Sequence, residues 1–209
     1  MALLTGERRA AHYGLIVLPA MTARGYVAWC LAEQGDFPAG SRVGEDAVQL
    51  AEAAKHPLSM AAARMFVGVL YRRRGQVHKA IPILEQALAL SQTINLPIFF
   101  PPTIAALGAA YALAGRATEA LPLLEQLREH VATGSRILFY ELVLTELSEA
   151  LVLVGHREEA SARARSLLDL SRTHTGCGYQ PMPSVSSARL PHVVIPRQST
   201  RPQLTTAKP

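Results

Sequence analysis

Four glycines divide the chain into units of equal length. Gly35, Gly75, Gly115 and Gly155 recur at a constant spacing of 40 residues, and each follows a segment whose apolar residues have helical spacing. Glycine is typical of the turn after a helix, because it adopts positive φ without strain. A small residue follows each of them five positions later: Gly40, Ala80, Ala120 and Ala160. A repeat of about 40 residues with one internal turn predicts stacked pairs of helices.

The pattern predicts an all-α solenoid of four antiparallel helix pairs between residues 18 and 174. The pairs are expected at residues 18–54, 57–92, 101–131 and 135–172. Ser135 is expected to cap a long helix that ends at Val154. Residues 1–17 show little periodicity and are interpreted as a connector or the remnant of a preceding helix. A single pair would leave an apolar stripe in water, so we expect the pairs to bury it by stacking.

Composition and charge argue against several classes of function. The chain has 209 residues, 49% of them hydrophobic, but no apolar run approaches the roughly 20 residues of a membrane span. The net charge of +5 comes from the end of the chain, where five basic residues and no acidic residue follow Leu170. The predicted helical part is therefore nearly neutral and lacks the basic surface of a nucleic-acid-binding protein. We expect a cytoplasmic protein without a membrane or nucleic-acid partner.

Residue types used in catalysis and metal binding show no informative spacing. The seven histidines form no HxxxH or HExxH arrangement, and Cys30 and Cys177 form no CxxC pair. No G-x-x-x-x-G-K-[ST] loop is present to bind phosphate. We therefore predict a non-enzymatic protein with no catalytic residues, no metal site and no cofactor.

Two units resemble the tetratricopeptide repeat (TPR). They share a glycine, a tyrosine three positions later and an alanine nine positions after that: Gly68, Tyr71 and Ala80 in the second unit, and Gly108, Tyr111 and Ala120 in the third. The first and fourth units depart from the pattern, with Leu31 and Leu151 in place of the tyrosine. We expect the glycines at 68 and 108 to lie where the two helices of a pair cross closely.

Longer segments resemble the C-terminal repeat region of large bacterial signalling proteins. Those proteins join an adenylate/guanylate cyclase-like domain and an AAA-type ATPase to a TPR array. The resembling segments are residues 29–35, 80–90 and 99–111, within a likeness that extends from Leu3 to Gln180. The resemblance implies that the catalytic modules lie upstream and that this chain supplies only the array.

The resemblance stops abruptly after Gln180. Residues 175–209 are rich in Pro, Ser and Thr, lack acidic residues and show no helical period, so we predict a disordered tail. When one G is restored after the Gln180 codon and codons are chosen freely, the new frame reads as an amphipathic helix followed by the start of another repeat. We therefore hypothesise a shifted reading frame after Gln180, and a fragment of a longer protein.

The TPR resemblance also implies a binding groove. The first helix of each pair would line the concave surface, at these positions: Trp29, Ala32 and Glu33; Met65, Val69, Arg72 and Arg73; Ala105, Ala109, Ala112 and Leu113; Thr145, Glu149 and Val152. This set is mainly apolar and lacks the Lys and Asn residues with which some TPR domains hold a peptide carboxylate. A helix or an apolar segment of a protein partner is therefore expected.

Two groups within this set have alternative interpretations. Trp29 and Cys30 either form a ligand platform or pack as partly buried repeat residues. The arginines at positions 72, 73 and 74 either contact an acidic partner or form a solvated helix end near the negative end of the helix dipole.

The favoured function is a non-catalytic module for protein–protein interaction or scaffolding. The first alternative is a regulatory array that senses a small molecule in its concavity. The second alternative is a decayed fragment without independent function, because the shifted frame removes the unit that would cover the fourth pair.

Overall fold

A computed structural model describes residues 14–94, 97–132 and 139–173. Within these ranges eight α-helices form four antiparallel pairs: α1 (Pro19–Glu33) with α2 (Phe37–Ala53), α3 (Pro57–Arg73) with α4 (Val77–Thr93), α5 (Phe100–Leu113) with α6 (Ala117–Ala132), and α7 (Tyr140–Leu153) with α8 (Arg157–Thr173). A short 3₁₀ helix, Pro97–Phe99, precedes α5. The prediction of an all-α array of four pairs is confirmed. The predicted disordered tail, the frame shift after Gln180 and most of residues 1–17 lie outside the described residues.

The four repeated glycines end the odd-numbered helices. Their φ angles are +80°, +77°, +71° and +93° at Gly35, Gly75, Gly115 and Gly155 respectively. In each turn the amide after the glycine donates to a carbonyl five residues earlier, as from Gln76 to Tyr71 at 2.9 Å. A Cβ on any of these glycines would meet no atom within 4 Å. The positions therefore require glycine for its backbone conformation and not for space.

The glycines inside the helices have a different role. A Cβ on Gly68 would lie 2.4 Å from Cγ of Leu84, and a Cβ on Gly108 would lie 3.0 Å from Cδ2 of Leu124. Leu84 and Leu124 belong to the second helices of the same pairs and are buried. The two helices of each pair therefore approach so closely that the crossing point has little or no room for a side chain.

Successive pairs stack through both of their helices. The odd-numbered helices pack on one another, α1 on α3 and α5 on α7, while α2 packs on α3 and α4 packs on α5. A hydrogen bond of 3.0 Å from the Leu18 amide to Oγ of Ser59 joins the start of α1 to the start of α3. The central helix α5 is buried along most of its length. In the three described ranges, no helix has both the length and the apolar character required to cross a bilayer.

The seventh helix begins later than the sequence suggests. We expected it to start directly after an N-cap at Ser135, which lies outside the described residues, whereas α7 begins at Tyr140. Phe139 precedes it in a left-handed conformation, with φ of +58°. A helix cannot continue through such a residue, so this bend corrects the expected start.

Candidate functional site

Charged side chains from α1, α3 and α7 meet on the inner surface of the array. Nη2 of Arg72 donates to Oε1 of Glu146, and Nη1 of Arg72 lies 3.6 Å from Oε2 of Glu149. Arg73 lies 3.3 Å from Oε1 of Glu33 through its Nε and 4.0 Å from Oε1 of Glu146 through its Nη2. These five residues, which we call the inner charge cluster, join the first, second and fourth pairs.

The centre of the inner charge cluster is closed to solvent and its edges are open. The side chains of Arg72 and Glu146 are 4% and 1% exposed, whereas those of Glu33 and Glu149 are 49% and 38% exposed. Burial raises the pKa of Glu146 above its ordinary value, and the charge of Arg72 opposes that effect. Arg72 and Glu146 therefore stabilise each other as an ion pair, because a charge left unpaired at this depth would lower the free energy of unfolding.

Four aromatic rings lie beside the inner charge cluster. Trp29 of α1 is 5.5 Å from Phe139, measured between ring centroids, and Tyr26 is 5.4 Å from Phe66 of α3. Phe66 and Phe139 are 6.1 Å apart in an edge-to-face arrangement. Nε1 of Trp29 donates to Oε1 of Glu33 at 3.0 Å, which connects the rings to the charges. We call Tyr26, Trp29, Phe66 and Phe139 the inner aromatic cluster.

The predicted groove residues do not all reach the surface. Seven are buried between neighbouring helices: Ala32, Met65, Val69, Arg72, Ala105, Ala109 and Ala112. This corrects the expectation that these seven line an open groove. The physical reason is that successive odd-numbered helices pack directly on one another, so that residues near their centres are covered by the next helix.

The remaining predicted groove residues are accessible. Leu113 is 47% exposed, Glu33 is exposed, and five others are partly buried: Trp29, Arg73, Thr145, Glu149 and Val152. The structure brings Trp29, Glu33, Arg73 and Glu149 together with the buried Arg72. Thr145 bonds to its own helix, through Oγ1 to the carbonyl of Glu141 at 2.8 Å.

The sequence left alternatives open for Trp29 and Cys30 and for the arginines at positions 72–74. In each group the structure supports different alternatives at different residues. Trp29 packs against Phe66 and Phe139, as in the packing alternative. Cys30 is exposed, which contradicts that alternative for Cys30. Arg74 is exposed at the end of α3, as expected of a solvated helix end. Arg72 instead contacts acidic residues, and those residues belong to the same chain.

Sequence reasoning did not find Glu146 or the aromatic partners of Trp29. A usable signal for Glu146 was its position, because it lies at helical spacing from Leu142, Val143 and Ala150, all of them buried. A carboxylate on an apolar stripe indicates a buried partner. The identity of that partner could not be read, since Arg72 is 74 residues away in the chain.

The arrangement combines paired charges with aromatic faces, which suits it to binding. The inner charge cluster contains three carboxylates and two guanidinium groups, and each guanidinium group lies within 4 Å of two of the carboxylates. Among the residues that the structure describes, no group of three His, Cys, Asp or Glu side chains is placed to hold a metal ion. What the inner surface offers a ligand is a set of aromatic faces beside exposed charges of both signs.

The fold and this inner surface define the class of a TPR-like helical repeat protein. Residues 63–97, which cover most of α3 and all of α4, match the sequence family described as Tetratricopeptide repeat. Two solved structures of similar fold are those of a Podosopora anserina protein assigned as a kinesin light chain with nearly identical TPR-like repeats, and of a variant of that protein with one substitution. Each has a TM-score of 0.54 and 20% identity, and the match covers 79% of this chain and 81% of that one. No curated protein matches the chain. The prediction of a TPR-like solenoid is confirmed.

Proposed function

We propose that this array is a non-catalytic protein-binding or scaffolding module that uses the accessible part of its inner surface. The observation that carries the proposal is the hydrogen bond from the half-buried Trp29 to Glu33, which also pairs with Arg73. The exposed Tyr26 packs on Phe66 and Phe139, as Trp29 does. Aromatic side chains dominate binding energy at protein interfaces, while charges at the rim select the partner. The expected ligand is an apolar peptide segment or helix with a few charged residues.

A peptide selection with the full chain tests this function. Peptides selected from a random ten-residue library should bind the wild type and bind Trp29→Ala about tenfold or more weakly, as expected when an aromatic anchor is lost. Leu121→Ala is the matched control, because Leu121 is an exposed apolar residue on α6. Glu33→Gln should alter the charge preference of the selected peptides while leaving the fold intact. Selection of no peptide, or of peptides that tolerate Trp29→Ala and Glu33→Gln but not Leu121→Ala, would contradict the proposal.

We also propose that the array is a section of a larger signalling protein with cyclase-like and ATPase modules. This part is supported by the resemblance of residues 29–35, 80–90 and 99–111 to such proteins. It includes the expectations of a cytoplasmic location and of a protein rather than nucleic-acid partner. Sequencing of the genomic DNA across codon 180 and on both sides of the frame is the test. If the upstream DNA encodes neither the cyclase-like module nor the ATPase module, the proposed context is refuted, while the proposed binding function is unaffected.

A further inference from the structure

Clefts on the outer side of the array repeat with the period of the sequence. The first lies between α2, α3 and α4, with a volume of about 270 Å³, and the second lies between α4, α5 and α6, with a volume of about 460 Å³. Equivalent residues line both, at a spacing of 40 in each case: Glu45 and Glu85, Val48 and Leu88, Tyr71 and Tyr111. We call them the first and second outer clefts.

The third equivalent position, between α6 and α8, contains an arginine of this chain. Arg128 takes the place of Val48 and Leu88 in the repeat. Its Nη1 lies 2.6 Å from Oε2 of Glu125, and its Nε lies 2.9 Å from Oε1 of Glu159. Arg128 therefore bridges the two carboxylates, a geometry that matches the fork of donors on arginine. Glu159 also accepts from Arg163 at 3.1 Å.

The second outer cleft has the same two carboxylates without the bridging arginine. Glu85 and Glu119 are the equivalents of Glu125 and Glu159, and Leu88 replaces Arg128. Glu119 accepts from Arg116 at 2.8 Å. Glu85 accepts from the hydroxyl of Tyr111 at 2.5 Å, and among the described residues no basic group lies within ion-pair distance of it. Two carboxylates thus face one guanidinium group at a partly apolar cleft.

The first outer cleft differs in charge. Lys79 occupies the position of Glu119 and Glu159 in the repeat, and its Nζ lies 5.7 Å from the centroid of the Tyr71 ring. Arg64 is paired with Glu52 in the same cleft, at 2.6 Å. Within the described ranges, the first cleft therefore has two basic groups for its two carboxylates and no excess of negative charge. Within the same ranges the second cleft has one, Arg116, whose guanidinium group lies 4.5 Å from the centroid of the Tyr111 ring.

We propose that the second outer cleft binds an arginine side chain of a partner protein, with its guanidinium group at Glu85 and Glu119. The next apolar side chain of the partner would lie on Leu88 and Leu123, which line the same cleft. The argument rests on charge complementarity and on the bridge that Arg128 forms at the equivalent position. The surface is formed by other helices than the inner aromatic cluster, so this inference does not depend on the proposed function.

Binding to the full chain can be measured by fluorescence anisotropy. The probe is a labelled octapeptide with a central Arg-Leu pair, and its control has citrulline, which is neutral and nearly isosteric, in place of arginine. The arginine peptide should bind about tenfold more tightly, as expected for one partly exposed charge-assisted hydrogen bond. Equal binding of the two peptides, or no binding of either, would overturn the proposal.

Three variants locate the site. Glu85→Gln should weaken binding of the arginine peptide about tenfold, whereas Glu45→Gln, its equivalent in the first outer cleft, should leave it unchanged. Leu88→Arg should abolish binding, because it supplies the cleft with a guanidinium group of its own. The fold should tolerate that change, since Arg128 occupies the equivalent position. Equal effects of the two glutamine variants, or unchanged binding to a folded Leu88→Arg variant, would place the peptide elsewhere and overturn the assignment.

A second peptide distinguishes the occupant. It carries residues 186–204 of this chain, which include Arg189, Arg197 and Arg201. Weaker binding of this peptide than of the Arg-Leu probe supports a separate partner. Tighter binding that is lost in Glu85→Gln would show that the chain itself, in the same or a second copy, supplies the arginine, and the assignment to a partner would be overturned.

Discussion

At the scale of the residue, the glycines at the helix crossings set how closely each pair packs. Gly68→Ala should lower the free energy of unfolding by about 1–3 kcal/mol, the usual cost of overpacking a filled core. Gly108→Ala should cost less, because its added Cβ would lie 3.0 Å from Leu124, against 2.4 Å from Leu84 at position 68. Urea unfolding of both variants measures the order. An equal loss in the two would show that Leu84 moves aside without cost.

Tyr111 gives a second prediction at this scale, for alkaline pH. Burial, together with the hydrogen bond to Glu85, raises its pKa to about 12. The folded state therefore retains a proton that the unfolded state releases near pH 10, so the associated stability is present below pH 10 and is lost as the pH rises toward 12. A difference titration against Tyr111→Phe by near-ultraviolet absorbance should show this midpoint. In Glu85→Gln the midpoint should fall, and an unchanged midpoint would contradict the role of Glu85.

At the scale of the helix, the ion pair between α3 and α7 determines which substitutions are tolerated. Arg72→Ala or Glu146→Ala alone strands a buried charge and should cost about 3–5 kcal/mol in free energy of unfolding. The double variant Arg72→Met/Glu146→Leu removes both charges and should differ from the wild type by far less, or should be more stable. A double-mutant cycle by urea unfolding measures the coupling.

The exposed pair of Arg116 and Glu119 is the control for this cycle. Both of its side chains are more than 40% exposed, so Arg116→Ala should change stability little. If Arg72→Ala costs no more than Arg116→Ala, then α3 and α7 are not held together by the buried pair.

At the scale of the whole molecule, the first and fourth helix pairs contact each other, which they would not do in a simple linear array. In an ideal solenoid each repeat touches only its neighbours, so a change in the fourth pair has no direct effect on the first. Here Phe139, which precedes α7, contacts Tyr26 and Trp29 of α1. We therefore expect the ends of the array to unfold as a coupled unit.

Hydrogen exchange tests this coupling. Phe139→Ala should accelerate exchange of α1 amides about tenfold or more, which corresponds to about 1.4 kcal/mol of lost protection. Leu167→Ala in α8 is the matched control, because Leu167 is buried in the fourth pair and has no described contact with α1. Acceleration of α1 that is equal in the two variants would indicate general destabilisation instead of a direct contact.

The sequence predicted the features that depend on residues close together in the chain. It did not predict those that depend on contacts between distant residues. The turns at Gly75 and Gly115 are set by the conformational preference of one residue and by hydrogen bonds within five residues. The recurrence of glycine every 40 residues was therefore enough to predict them. The start of α7 at Tyr140 was not predicted, because the left-handed conformation of Phe139 has no signal in the local sequence. Met65 and Ala109 were assigned to an open groove, since a sequence cannot say how closely successive odd-numbered helices pack on one another.

The sequence alone determined the period, the pairing of neighbouring helices and the turns between them, because these depend on local backbone preferences and on apolar spacing along one helix. Only the tertiary structure decided that α7 lies close enough to α1 and α3 to bury Arg72 against Glu146, and that Arg128 fills one outer position while Leu88 leaves another open. Such contacts depend on the accumulated rotation from one helix pair to the next, which no single segment of the chain encodes.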